Sequence, residues 1–132
     1  MTLPAITEAQ VDIIVRELLS LHSDIVQVDI DAFWDLLKHS LSLSTMEKKR
    51  VIDAVPTLSQ YQFDELTKVF VEEREKFREL AKDHPDDIKK LLAKQQTEWL
   101  QLGDLFQSEL ENKALEDENK KKEEEIKKSL WL

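Results

Sequence analysis

Asp83-His84-Pro85-Asp86-Asp87 separates the two strongest helical signals in this 132-residue chain. The residue before a proline is pushed out of the helical region, so a helix ends at His84. Proline suits the first position of a new helix, where its missing N–H costs nothing, and Asp86 and Asp87 complement the positive helix end. Before the break, Phe63, Leu66, Val69, Phe70, Phe77 and Leu80 recur at helical spacing and predict a helix over about 60–82. After it, Ile88, Leu91, Leu92, Trp99, Leu102, Phe106 and Leu110 predict one over 85–110 or beyond. Two long helices joined by so short a turn form an antiparallel hairpin.

The residues upstream read in the same way. Thr7 and Gln10 make a capping box, with Ile6 and Val11 in the staple positions. They open a helix over 8–21 with Val11, Ile14, Val15, Leu18 and Leu21 on one face, which Ile13 and Leu19 widen. His22-Ser23-Asp24 breaks the pattern. Ile25-Val26-Gln27-Val28 reads either as an extended connector or as a short helical turn, and a lone strand has nothing obvious to pair with. Asp29 or Asp31 caps a helix over 30–42 that carries Ile30, Phe33, Trp34, Leu37 and Leu41. Ser44 with Glu47 is a second capping box, opening a helix over 45–55 that Pro56 stops. Ser59 with Gln62 is a third, with Leu58 and Phe63 as staple.

Within the longer helices, Glu72-Glu73-Arg74-Glu75-Lys76 reads as solvated, and Glu72 and Lys76 are spaced to support each other. Gly103 falls inside an apolar pattern. That costs about 1 kcal/mol against alanine and suits close approach of a neighbouring helix.

Composition agrees with an all-helical chain and removes several chemistries. One glycine is too few for a phosphate loop or a dinucleotide fingerprint, and it argues against hairpin-rich β structure. No cysteine means no disulfide scaffold, thiol nucleophile or Cys-ligated metal. No stretch of about 18 apolar residues is present, and Ile13-Ile14-Val15 is too short for a signal peptide, so a cytoplasmic location is expected. The net charge of −9 is uneven: residues 1–43 carry 7 acids and 2 bases, while residues 111–132 carry 7 and 6. No basic face exists to neutralise phosphates.

After Leu110 the chain changes character. Between Glu111 and Lys128, 13 of 18 residues are charged, and only Ala114, Leu115 and Ile126 are apolar. A helix continued to Lys128 would run about 66 Å, longer than a domain of this size is wide. Its end must project, fray or pack on another chain. The heptad-spaced positions Leu105, Asn112, Asn119 and Ile126 are half polar, which is poor support for a two-stranded coiled coil. Ser129, Leu130, Trp131 and Leu132 follow as an apolar tip.

The expected fold is therefore all-α. It is a small bundle of about five helices with a long antiparallel hairpin and a projecting, highly charged C-terminal helix, divided as 1–110 and 111–132. The expected core is Val11, Ile14, Leu18, Phe33, Leu37, Ile52, Phe63, Leu66, Phe70, Phe77, Leu91, Trp99, Leu102 and Phe106.

Candidate chemistry is thin. Asp31, Asp35 and His39 share a helix stripe at a spacing that suits a divalent metal, but no Glu-x-x-His motif completes the set, and solvation explains them better. Asp24, Asp29 and Asp31 lack the glycine turn of a calcium loop. No serine sits in a strand-to-helix elbow, and His22, His39 and His84 pair with no nucleophile. A helix-turn-helix over 44–70 would turn acids toward phosphates, and Lys48-Lys49-Arg50 reads as the solvated side of its helix.

No catalytic residue, cofactor or metal is expected, and no nucleic acid, membrane span or small-molecule substrate. The expected function is a non-catalytic protein-interaction or assembly module acting through the hairpin and C-terminal helix, on another protein or a second copy. Leu130, Trp131 and Leu132 would form the terminal contact, because aromatic anchors supply much binding energy. The alternative is an acidic regulator that covers a basic surface of a nucleic-acid-handling protein with Asp24, Asp29, Asp31 and Asp35. A metal-dependent helical-bundle hydrolase stands third.

Overall fold

The computed structural model describes residues 6–131. Its helices are α1 (Glu8–Leu19), α2 (Ile30–Lys38), α3 (Thr45–Ala54), α4 (Gln60–Asp83) and α5 (Pro85–Trp131), with one 3₁₀ turn at Val55–Thr57. No strand occurs among the described residues. The chain is a small all-α bundle whose long last helix packs against the others.

The helix starts follow from local chemistry. Thr7, Ser44 and Ser59 each accept a hydrogen bond from the backbone N–H three residues on, and the side chains of Gln10, Glu47 and Gln62 each accept one from the cap N–H. Asp29 caps α2 by accepting from the Ala32 N–H at 3.1 Å. His84 alone separates α4 from α5. It adopts φ −131° and ψ 57°, outside the helical region as its neighbour Pro85 requires. Residues 24–26 turn, residues 27–29 carry no regular structure, and the Gln60 side chain bonds the backbone of this connector. Its amide accepts from the Gln27 N–H at 2.6 Å and donates to the Gln27 carbonyl at 2.9 Å.

The helix ends differ from the sequence expectation. α1 stops at Leu19 rather than residue 21, with the Ser20 hydroxyl bonded to the Glu17 carbonyl and the His22 ring at 3.1 Å from the Leu19 carbonyl. α2 stops at Lys38 rather than residue 42. There the carboxylate of Glu73, from α4, accepts from the N–H groups of Leu41 at 2.9 Å and Ser42 at 3.0 Å, and from the Ser40 hydroxyl. A side chain from another helix thus takes the donors that would have continued this one. Glu73 and its neighbour Arg74 are half-buried, correcting the expectation that 72–76 is simply solvated.

The core contains Val11, Val15 and Leu19 of α1, Phe33, Leu36 and Leu37 of α2, Ile52 and Val55, Phe63 and Phe70 of α4, and Trp99, Leu102 and Phe106 of α5. Phe33 meets Phe63 edge-on, with ring centroids 5.3 Å apart. Of the expected core, Ile14, Leu18, Leu66, Phe77 and Leu91 are only half-buried. α1 turns Val11, Val15 and Leu19 inward instead, one step around from the face centred on Ile14 and Leu18.

Among the described residues, Phe106 is the last one buried in α5. Every residue from Gln107 to Leu130 is exposed, a helical arm of 24 residues and about 36 Å. The arm has its own source of stability. An acid precedes a lysine by four residues six times, from Glu109–Lys113 to Glu124–Lys128, the favourable order, against three pairs in the reverse order. Such pairs contribute about 0.2–0.5 kcal/mol each. Glu118 and Lys122 approach to 3.6 Å.

Gly103 lies where α5 meets α1. A Cβ at that position would stand 2.3 Å from Val11 Cγ2 and 3.3 Å from Val11 Cβ, and Val11 is fully buried. Overpacking of this kind costs about 1–3 kcal/mol, more than the gain of about 1 kcal/mol in helix propensity. Gly103→Ala should therefore lower the melting temperature. Combined with Val11→Ala it should cost clearly less than the sum of the two single changes. Additive losses in thermal melts would show that the two helices do not meet there.

Candidate functional site

The most unusual chemistry in the bundle gathers at the C-terminal end of α2. Lys38 is 5% exposed and Lys48 is 1% exposed. Lysine is almost never this buried unless paired. The Lys38 ammonium pairs with Glu8, and with Asp12 at 2.9 Å, both from α1. It lies 5.2 Å from the ring centroid of Trp34 and 5.7 Å from that of Trp99, within cation–π range of each. Burial alone would lower its pKa, but the hydrogen bonds and charges of Glu8 and Asp12 outweigh burial and raise it. The hydrogen bond from Lys38 lowers the pKa of Glu8 in turn. Asp12 also accepts from the Trp99 indole N–H at 2.9 Å, tying α1 to α5.

Lys48 has no such counterion. Its ammonium donates to the Lys38 carbonyl at 2.9 Å, and the Gln95 side-chain amide donates to the same oxygen at 2.7 Å. Burial pushes the Lys48 pKa down to about 8, against the opposing charges of Glu98 and Glu73. Lys48 corrects the reading that residues 48–50 solvate one side of their helix. It stands four and seven residues before Ile52 and Val55, on the stripe that packs inward. That spacing was the available signal. Lys38 carried a similar one, four residues after Trp34.

A groove of about 410 Å³ opens beside this cluster, between α2, α4 and the start of α5. Leu36, Phe70, Phe77, Ile88 and Leu92 line it, with His39, Glu73 and Arg74 among its polar groups. Those groups already have partners: Arg74 donates to the Asp35 carboxylate at 3.0 Å and to the Asp35 carbonyl at 3.2 Å, and His39 stands 3.1 Å from Asp35. Neither Lys38 nor Lys48 lines this groove. A lysine with a lowered pKa can act as base or nucleophile only where substrate reaches it, and Lys48 is enclosed.

The acidic residues singled out in the sequence are dispersed. Asp29 is a helix cap, Asp31 pairs with Arg16, Asp35 pairs with Arg74 and His39, and Asp24 is exposed in the turn after α1. Asp31, Asp35 and His39 do not converge, since Asp31 turns to Arg16. No group of three or more potential metal ligands occurs among the described residues. At the C-terminal tip, Leu130 is 77% exposed, while the Trp131 side chain and Leu132 lie outside the described residues. No described helix is long and apolar enough to cross a membrane.

The fold and these surfaces define a helical bundle with a polar hub at its centre and an exposed helical arm. Comparison with protein-family models, curated proteins and solved structures finds no match to the chain.

Lys48 gives the bundle a pH signature. Its folded pKa is about 8 and its ordinary value is 10.5, so between these the unfolded chain holds more protons and stability rises with pH. Lys38 and Lys49, whose values are raised, lose their contributions only above that window. Lys48→Met leaves the Lys38 carbonyl bonded to Gln95. It should stabilise the protein by about 1–3 kcal/mol at pH 7 and abolish the gain between pH 8 and pH 10. Urea denaturation at both pH values checks this; an unchanged pH slope in the variant would assign the effect elsewhere.

Proposed function

We propose that this protein is a non-catalytic interaction module in which the bundle anchors a helical arm that assembles with another chain. One observation carries the reading. Residues 107–130 form continuous helix with no buried residue, yet Leu115 is 56% exposed, Ile126 59% and Leu130 77%. Single exposed apolar residues need no explanation, but these three fall within about 60° of one another around the helix at about 100° per residue. A stripe on one side of an otherwise charged helix suits packing against a partner.

The acidic-regulator reading has weaker support, because Asp29, Asp31 and Asp35 already have partners within the chain. The hydrolase reading lacks a converging set of groups on an open surface.

A chain ended after Leu110 should keep the melting temperature of the bundle while losing, in mixtures that contain its partner, both its assembled mass in light scattering and its cross-link to that partner. Unchanged mass and unchanged cross-linking would remove the arm from the function.

A further inference from the structure

The charges of the arm are sorted around the helix although they nearly cancel along it. The exposed seam runs through Asn112, Leu115, Asn119, Lys122 and Ile126 in alternating steps of three and four residues, with Leu115 and Ile126 as its two apolar members. On one side of the seam stand Glu111, Glu118 and Glu125, each seven residues from the next. On the other stand Glu116 and Glu123, continuing the row from Glu109. From Glu109 to Glu125 the flanking positions that face a partner across a two-stranded coiled coil are therefore all glutamate, and the next in the second row is Leu130. Apart from Lys122, the lysines of the arm lie behind, where they support the helix at four-residue spacing. Glu111 has no lysine three or four residues away on either side, so support of its own helix does not explain it.

Two copies of this arm would oppose glutamate to glutamate. In a parallel pair Glu111 faces Glu116 of the other copy and Glu118 faces Glu123. In an antiparallel pair each row meets itself. Like charges across a seam select against a pairing as effectively as good contacts select for one. We infer that the arm pairs with a helix of a different protein that carries lysine or arginine at both flanks of an apolar seam, with polar groups opposite Asn112 and Asn119 to set register. This rests on the interaction reading above and names its partner class. A self-supporting spacer that binds nothing and an arm that pairs with itself are the competing outcomes.

The test uses the full chain with three synthetic 28-residue helical peptides. Two share a leucine seam with asparagine opposite Asn112 and Asn119, one with lysine at every flanking position and one with glutamate. The third scrambles the lysine peptide so that the seam is lost and the charge kept. Fluorescence anisotropy should show the seamed lysine peptide binding at least about tenfold more tightly than either of the others, and weakening several-fold between low and high salt. Leu115→Ser with Ile126→Ser, both at exposed positions, should abolish that binding and leave the melting temperature unchanged. Replacing Glu111, Glu118 and Glu125 by glutamine should weaken it while circular dichroism stays helical. In sedimentation equilibrium the chain alone should be a monomer.

Equal binding of seamed and scrambled lysine peptides would overturn the inference, as would tighter binding of the glutamate peptide or a dimer that Leu115→Ser and Ile126→Ser dissolve. If one of these holds while the chain ended after Leu110 still loses its assembly, only the partner class is wrong. If that shortened chain assembles normally, the interaction reading falls with it.

Discussion

The carbonyl oxygen of Lys38 is where the bundle is tied together. It is among the last carbonyls of α2, which have no partner within their own helix and must find donors elsewhere. Lys48 supplies one from α3 and Gln95 another from α5. The side chain of the same residue reaches back to Glu8 and Asp12 of α1, and Glu73 and Arg74 of α4 bind the residues on either side of the helix end. One residue and its immediate neighbours thus engage all four of the other helices. The positive charges of Lys48 and Arg74 also sit at the negative end of the α2 dipole, which favours them. Burying two ammonium groups is expensive even so, and hydrophobic replacements often stabilise such sites.

The same hub explains which features were legible in the sequence. Helix starts depend on residues within three positions of each other, so Thr7, Ser44 and Ser59 announced them, as did the His84-Pro85 break. The end of α2 is set by Glu73, more than 30 residues away, and nothing near residue 38 encodes it. Lys48 occupies an apolar stripe while its chemistry argues for water, and only the neighbouring carbonyl and the Trp99 ring 6.0 Å away resolve the conflict. Gly103 was readable as a site of close approach, but that Val11 is the neighbour required the fold. For the arm, a net charge near zero concealed rows of glutamate that appear only when residues are placed around a helix.

α5 combines two ways of being a helix. From Pro85 to Phe106 it is held by neighbours, with Trp99, Leu102 and Phe106 buried. Beyond Phe106 every residue to Leu130 is exposed, and acid–lysine spacing, with Glu118 and Lys122 in contact, favours helix there. Lys49 stands at the boundary, pairing with Glu109 at 2.6 Å and lying 5.5 Å from the ring of Phe106. The hydrogen bonds of Asp53 and then Glu109 raise its pKa, so it remains charged at neutral pH and pins the base of the arm to α3.

The arm also governs how the molecule moves through water. A helix standing about 36 Å clear of a small bundle raises frictional drag far more than it raises mass. A single copy will tumble anisotropically and elute from a gel-filtration column ahead of globular proteins of its own weight. The backbone amides of 107–130 will give narrower or broader resonances than those of the bundle according to whether the rod turns with its anchor or bends near Phe106.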